Sequence, residues 1–186
     1  MTGRVSVQCC IAGGGPAGMM LGLLLARAGV DVLVLEKHAD FLRDFRGDTI
    51  HPSALEIIHE LGLLEQLLAL PHQKAPEINA QFGDLALTVA DFSTLPTRCG
   101  FIAFMPQWDF LNFLAEQGSR YPTFRVLMEA EVTDLVKLAG TIVGIRATTP
   151  KGPLEVRADL VVGASCPAVD EIKHQWRLYR DGRMQP

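Results

Sequence analysis

Val5-Ser6-Val7-Gln8-Cys9-Cys10-Ile11-Ala12-Gly13-Gly14-Gly15-Pro16-Ala17-Gly18 runs into an apolar helix and then into Val32-Leu33-Val34-Leu35-Glu36. This order reads as strand, glycine turn, helix, strand and acid, which is one complete βαβ unit. Gly13, Gly15 and Gly18 carry the spacing G-x-G-x-x-G. The first glycine permits the tight turn, the second lets a pyrophosphate approach the backbone, and the third lets helix and strand pack closely. The bound anion then meets free N–H groups at the positive end of the helix dipole. Glu36 lies eighteen residues beyond Gly18, where a carboxylate accepts hydrogen bonds from both ribose hydroxyls of an adenosine. An acid there, rather than a phosphate-binding Arg, points to an unphosphorylated ribose, as in FAD or NAD.

The remaining sequence sets outer bounds on fold and function. A chain of 186 residues holds one domain, or one and a small second. Apolar residues make up 48%, a globular rather than disordered composition. The net charge of −4 and the lack of basic runs point away from nucleic acid and from an anionic membrane surface. The longest apolar stretch, Met19 to Leu25, is too short to span a bilayer. One arginine precedes the first strand, so no signal peptide is expected. Cys9 and Cys10 are adjacent on a strand and point to opposite faces, while Cys99 and Cys166 are isolated. No metal-ligand spacing results, and the four cysteines read as free thiols of a cytoplasmic protein. His51, His59 and His72 do not converge on one face, which gives no metal site either.

Taken in order, residues 5–11 read as a buried parallel strand, 16–29 as a helix stopped by Gly29, and 31–36 as the second strand. Gly22, costly inside a helix, calls for a close contact between helix and strand. Phe41 to Pro52 is polar, carries Arg43 and Arg46, and reads as a loop. Ser53-Ala54-Leu55-Glu56 fits a capping box for a helix to about Leu61, with a second short helix from Leu63 to Leu70. Residues 78–82, 85–89 and 101–104 read as short strands that start a second sheet. Met105-Pro106-Gln107-Trp108 opens a helix to about Gly118, and Phe124 to Met128 is a strand. Val132–Leu138, Ile142–Thr148 and Leu154–Arg157 form a three-stranded meander, and Ala158 to Ala164 a separate buried strand. Ser165 to Pro186 is an atypical tail.

The βαβ unit, the arginine loop, the Met-Pro-Gln-Trp helix start and the Ala-Asp-Leu-Val-Val-Gly-Ala strand together resemble the single-component FAD-dependent monooxygenases. These are the aromatic-ring hydroxylases of the para-hydroxybenzoate hydroxylase type. The resemblance covers residues 5–164 and implies a Rossmann-like, three-layer α/β FAD-binding domain with a β-meander and part of a substrate-side sheet. It divides the chain into an FAD-binding part, 1–77 and 105–164, and partial substrate-domain strands, 78–104. It also implies that Gly13, Gly15, Pro16, Ala17 and Gly18 take the FAD pyrophosphate and Glu36 the adenosine ribose, with Lys37 beside it. Arg46 then reaches the ribityl-phosphate side, Gln107 the flavin or ribityl chain, and Val132 the adenine through its backbone. Arg suits phosphate and Gln offers both donor and acceptor. In such enzymes NAD(P)H is the transient reductant, O₂ the oxidant and a small, often aromatic molecule the substrate.

Plainer readings stand beside these. Arg46 competes with Arg43, a flavin-contacting Gln107 with an ordinary helix start, and a flavin stack at Trp108 with a core residue. Where the family places Asp-Gly after Val-Val-Gly-Ala, this chain has Ser165-Cys166. The pattern stops there, which reads as a truncation, a frame shift or a remnant. A non-catalytic nucleotide binder, a half that needs a partner chain, and an NAD-dependent dehydrogenase are the alternatives. Open strand edges point to self-association as a homodimer.

Overall fold

A computed structural model describes residues 3–42 and 48–164. The elements run β1 (Gly3–Ala12), α1 (Pro16–Arg27), β2 (Val32–Leu35), β3 (Thr49–Ile50), α2 (Pro52–Glu60) and α3 (Leu64–Leu68). They continue with β4 (Gln73–Ala75), β5 (Glu77–Phe82), β6 (Leu85–Asp91), β7 (Ile102–Phe104) and α4 (Gln107–Ser119). β8 (Phe124–Leu127), β9 (Glu131–Leu138), β10 (Thr141–Thr149) and β11 (Gly152–Gly163) follow. The chain forms two compact units, Met1–Asp40 with Leu114–Pro186, and Phe41–Phe113.

The first unit is the α/β domain. Its sheet has the order β8-β2-β1-β11-β10-β9. The strands β8, β2, β1 and β11 are parallel, and β10 and β9 add on antiparallel. A parallel strand is covered on both faces, so its residues are apolar without alternation; all four residues of β2 are buried. Leu33 and Leu35 share one cluster with Cys10, Leu135, Ile145, Ala147 and Val156, which places the meander over that face. Val34 faces α1, since a Cβ on Gly22 would lie 2.9 Å from its Cγ2. Helix, parallel sheet and meander are therefore three layers, as the sequence implies. Gly29, with φ of +81°, ends α1 in the conformation expected of it.

One aromatic ring sets the spacing of the helical layer. Phe124 fills the space that side chains at Gly22 of α1 and Gly118 of α4 would occupy. A Cβ at Gly22 would lie 2.9 Å from the ring, and one at Gly118 would run into its edge. This is the close approach that Gly22 calls for, and Gly118 shares it.

Local rules are overridden at several places. The meander's last strand and the closing strand, expected as Leu154–Arg157 and Ala158–Ala164, are a single strand, β11. It stays unbroken because β1 pairs along it from Gly3↔Leu154 to Ala12↔Gly163, while β10 pairs with its first half only. Within the stretch expected as loop, Thr49 and Ile50 pair with Phe104 and Ala103 as β3. The Ser53 capping box does not form. His51 is the N-cap of α2, Pro52 occupies the first turn, and no side chain caps it.

The second unit holds α2, α3, the start of α4, the sheet β3-β7-β4 and the separate hairpin β5-β6. Its strands within 78–104 are thus accompanied by the helices of residues 52–68. Among the described residues no helix is long and apolar enough to cross a membrane.

Cys9, Cys10 and Cys99 are buried free thiols, while Cys166 lies outside the described residues. Burial raises all three, and with the added field of Cys9 it pushes the Cys10 thiol up to about 12. A thiol ionises near pH 8.5 in the unfolded chain, so above that pH the folded chain binds more protons. Stability is expected to fall with rising pH between about 8.5 and 12, with Cys10 contributing up to about 1.4 kcal/mol per unit. Urea midpoints at pH 8, 9 and 10 check this, and Cys10→Ala should flatten the slope.

Gly118→Ala is expected to destabilise the first unit by about 1–2 kcal/mol, because overpacking against Phe124 outweighs the helix propensity gained. Urea denaturation reads the loss, and adding Phe124→Leu should recover most of it.

Candidate functional site

The glycine turn follows directly from the sheet. Ala12 ends β1 between β2 and β11. The Gly13 N–H then donates to the Leu35 carbonyl at 2.8 Å, and the Ala164 N–H donates to the Ala12 carbonyl at 2.8 Å. Gly13 has φ of +119°, which a side chain would strain. A Cβ on Gly18 would collide with the Gly13 carbonyl and lie 3.2 Å from the Ala164 Cβ. The third glycine thus lets α1 start directly against the strand. Gly15 is different: the nearest atom to an added Cβ is the Ala164 carbonyl, 4.0 Å away. Among the described residues nothing comes closer, so a ligand has room to approach the backbone there.

Gly15 is also the N-cap of α1, with no side-chain cap, Pro16 in the first turn and no acid there. Proline has no N–H to satisfy, so the fixed turn is compatible with an orphaned helix start. The N–H groups of the first turn lack intrahelical acceptors. Together with the dipole they form a cradle for an anion. The exposed Ala17 and the buried Gly18 complete this turn.

Glu36 extends β2 by one residue and is only 6% exposed. Its Oε2 accepts from the Gly14 N–H at 2.9 Å, and its Oε1 accepts from the His38 N–H at 3.0 Å. Its own carbonyl accepts from the Ala130 N–H at 2.8 Å, and its N–H donates to the Leu127 carbonyl at 2.9 Å. The carboxylate is therefore held in place beside the glycine turn. A carboxylate is an acceptor-only group, the chemistry that suits a ribose hydroxyl. The donor set, the open side of Gly15 and the fixed acid fit the adenosine diphosphate part of FAD.

Gly14 is the residue that the fingerprint spacing passes over. A Cβ there would lie 2.9 Å from the Glu36 Cβ and 3.0 Å from Oε2. The run of three glycines, Gly13 to Gly15, is its signal in the sequence.

Lys37 is exposed next to Glu36. Val132 lies on β9, half-buried and paired with Ala147 at a register shift, two residues past the Ala130 that bonds Glu36. Gly13, Gly15, Pro16, Ala17, Gly18, Glu36, Lys37 and Val132 thus belong to the first unit. Gln107 belongs to the second, half-buried at the start of α4. Arg46 and Arg43 lie outside the described residues, as do Ser165 and Cys166.

In the second unit Asp48 holds the start of α4. Its carbonyl accepts from the Met105 N–H at 2.8 Å and its Oδ1 accepts from the Gln107 N–H at 3.2 Å. A carboxylate at a helix start satisfies an orphan donor and complements the dipole. No local signal marks this role, since the partners are 59 residues apart. A cavity of about 540 Å³ opens beside them, lined by Asp48, Thr49, His72, Phe104, Met105 and Pro106 among others.

Glu36→Ala is expected to leave the Gly14 and His38 N–H groups without acceptors and to cost about 2–4 kcal/mol. Glu36→Gln retains one acceptor and should cost about half as much. Urea titrations of the two variants against the parent measure both.

Comparison with known proteins places these features. The family model described as FAD binding domain matches residues 6–167. A 6-methylpretetramide 4-monooxygenase of Streptomyces rimosus is 31% identical over 155 residues, covering 83% of this chain and 37% of that protein. A 3-(3-hydroxy-phenyl)propionate/3-hydroxycinnamic acid hydroxylase of Escherichia coli is 31% identical, covering 95% of this chain and 29% of that one. The crystal structure of p-nitrophenol 4-monooxygenase PnpA from Pseudomonas putida superposes with a TM-score of 0.77 at 20% identity, over 92% of this chain and 44% of that chain. The chain spans about a third of the length of the two curated relatives. By its match over residues 6–167, the chain belongs to the FAD binding domain family.

Proposed function

We propose that this chain binds FAD through its first unit and forms the dinucleotide-binding part of an NAD(P)H-dependent flavin monooxygenase for small aromatic substrates. The observation that carries the reading is the pairing of an immobilised acid with an open glycine turn. The Glu36 carboxylate is fixed by the Gly14 N–H at 2.9 Å, next to a Gly15 whose added Cβ would meet no described atom closer than the Ala164 carbonyl at 4.0 Å. Relatives that are monooxygenases and hydroxylases support the reaction class.

In this reading the N–H groups at the start of α1 hold the pyrophosphate, and Gly15 lets it come close. Glu36 accepts from the ribose hydroxyls, and the backbone at Val132 borders the adenine. Lys37 offers a positive charge at the same end. Arg46 and Gln107 serve the ribityl side, with Asp48 fixing the backbone that carries Gln107. FAD, when bound, supplies the redox chemistry, taking electrons from a nicotinamide and passing them to O₂. The chain's own residues orient it and shield its adenosine end from water.

FAD titration followed by desalting and a visible spectrum tests the cofactor. Retained flavin, with NADH oxidation and peroxide release, supports both halves of the reading. Retained flavin without NADH oxidation would leave a non-catalytic flavin binder. A folded protein that retains none overturns the proposal. Gly15→Ala is expected to weaken FAD binding by about tenfold or more, about 1.4 kcal/mol. Its urea stability should stay within about 1 kcal/mol of the parent, since among the described residues the added methyl meets nothing closer than 4.0 Å.

A further inference from the structure

A short ladder in the second unit leads to the start of α4. Ile50 pairs with Ala103 and Thr49 with Phe104, the register of β3 on β7. The next rung is the Asp48 carbonyl, which accepts from the Met105 N–H at 2.8 Å. Pro106 follows and has no N–H to donate. The Asp48 side chain then adds a bond of its own, its Oδ1 accepting from the Gln107 N–H at 3.2 Å. Asp48 and Gln107 are both half-buried.

The helix start takes this bond from outside. The first N–H groups of a helix lack intrahelical acceptors, and a Ser, Thr, Asp or Asn at the N-cap commonly serves one of them. Here the Pro106 carbonyl accepts from the Asp109 and Phe110 N–H groups at 3.0 and 3.3 Å, so Pro106 stands at the cap position. Its side chain carries no acceptor. Asp48, 59 residues away from Gln107 in the sequence, supplies one instead.

The same bond fixes more than the helix end. Met105 is 1% exposed and held by the ladder, and the helix holds the backbone from Gln107 onward. Bonding the Gln107 N–H sets the direction in which its side chain leaves the backbone. Resting on the reading of Gln107 as a flavin contact, we infer that Asp48 is a positioning residue for the cofactor, acting through Gln107 by the placement of one acceptor oxygen and not by its charge. Asn offers an oxygen at the same reach and caps about as well as Asp. Glu keeps the charge but carries its oxygens one methylene farther out.

Quenching of flavin fluorescence, as the whole chain is titrated into FAD, gives the dissociation constants that test this. Asp48→Ala keeps the carbonyl and the ladder and removes only the side-chain acceptor. Gln107→Ala and Asp48→Ala are each expected to weaken FAD binding about three- to tenfold, the range of one hydrogen bond. Asp48→Asn should stay within about twofold of the parent, and Asp48→Glu should lose about as much as the alanine variant. Because Asp48 acts through Gln107, the double variant should bind FAD within about twofold of Gln107→Ala alone. A helix merely loosened by loss of a cap would bind more weakly in both backgrounds. Far-UV circular dichroism checks folding, and if Asp48→Ala does not fold, Asp48→Glu with and without Gln107→Ala gives the same cycle. Asp48→Ala without effect on FAD, losses that add in the double variant, or Asp48→Asn weakening FAD more than Asp48→Glu would each overturn the inference and leave the reading of Gln107 standing. Gln107→Ala without effect would overturn that reading, and the inference with it.

Discussion

The bond between the Glu36 carboxylate and the Gly14 N–H, 2.9 Å long, is the constraint on which the first unit depends. A charged group that is 6% exposed is tolerable only where its oxygens are hydrogen-bonded. Meeting that need fixes the turn after β1 against the end of β2. It also ties in the chain beyond β8, because the Glu36 carbonyl takes the Ala130 N–H and the His38 carbonyl takes the Glu129 N–H. Glu129 adopts a φ of +54° at that crossing, an unusual conformation for a residue with a side chain. The meander therefore starts from a fixed point beside the acid. Sheet, meander and dinucleotide cradle meet at one residue.

Packing around the sheet follows the same economy of space. On one face Leu33 and Leu35 join the meander cluster; on the other, Val34 and Phe124 press against helices at glycines. Fully burying aliphatic side chains of this kind contributes about 1.5–3 kcal/mol each. That contribution depends on helices that come close enough to exclude water, which Gly22 and Gly118 allow. The glycines of the turn and those of the helices thus do one job at different distances from the ligand.

Much of this is legible in the sequence because it is local. The strand, the glycine spacing, the helix and the acid lie within residues 5–36, and each has a short-range reason for its place. Gly22 announces its contact through its cost in a helix. What is not legible is what pairing at a distance decides. β3 and β4 are two and three residues long and exist because β7 lies between them. Asp48 looks like any loop acid until Gln107 is folded against it. Arg157 and Asp159 interrupt the apolar run, which reads as a break between strands. Both are exposed residues of a strand that changes neighbours along its length. The capping box at Ser53 gave way to Pro52, whose fixed φ already suits the first turn.

The unbroken β11 has a consequence for how the molecule comes to exist. β1 is made well before its partners in β11, which lie about 150 residues later in the chain. Loop closure over such a distance must precede the contacts that reward it, so topology of this kind folds slowly. At about 5–20 residues per second, synthesis leaves β1 unpaired on this edge for roughly ten seconds or more. During that time the apolar residues from Val7 to Ala12 have one neighbouring strand available, β2. The turn after β1 is thus made well before the strand that completes its surroundings. A chaperone that shields an exposed strand edge would therefore act on β1.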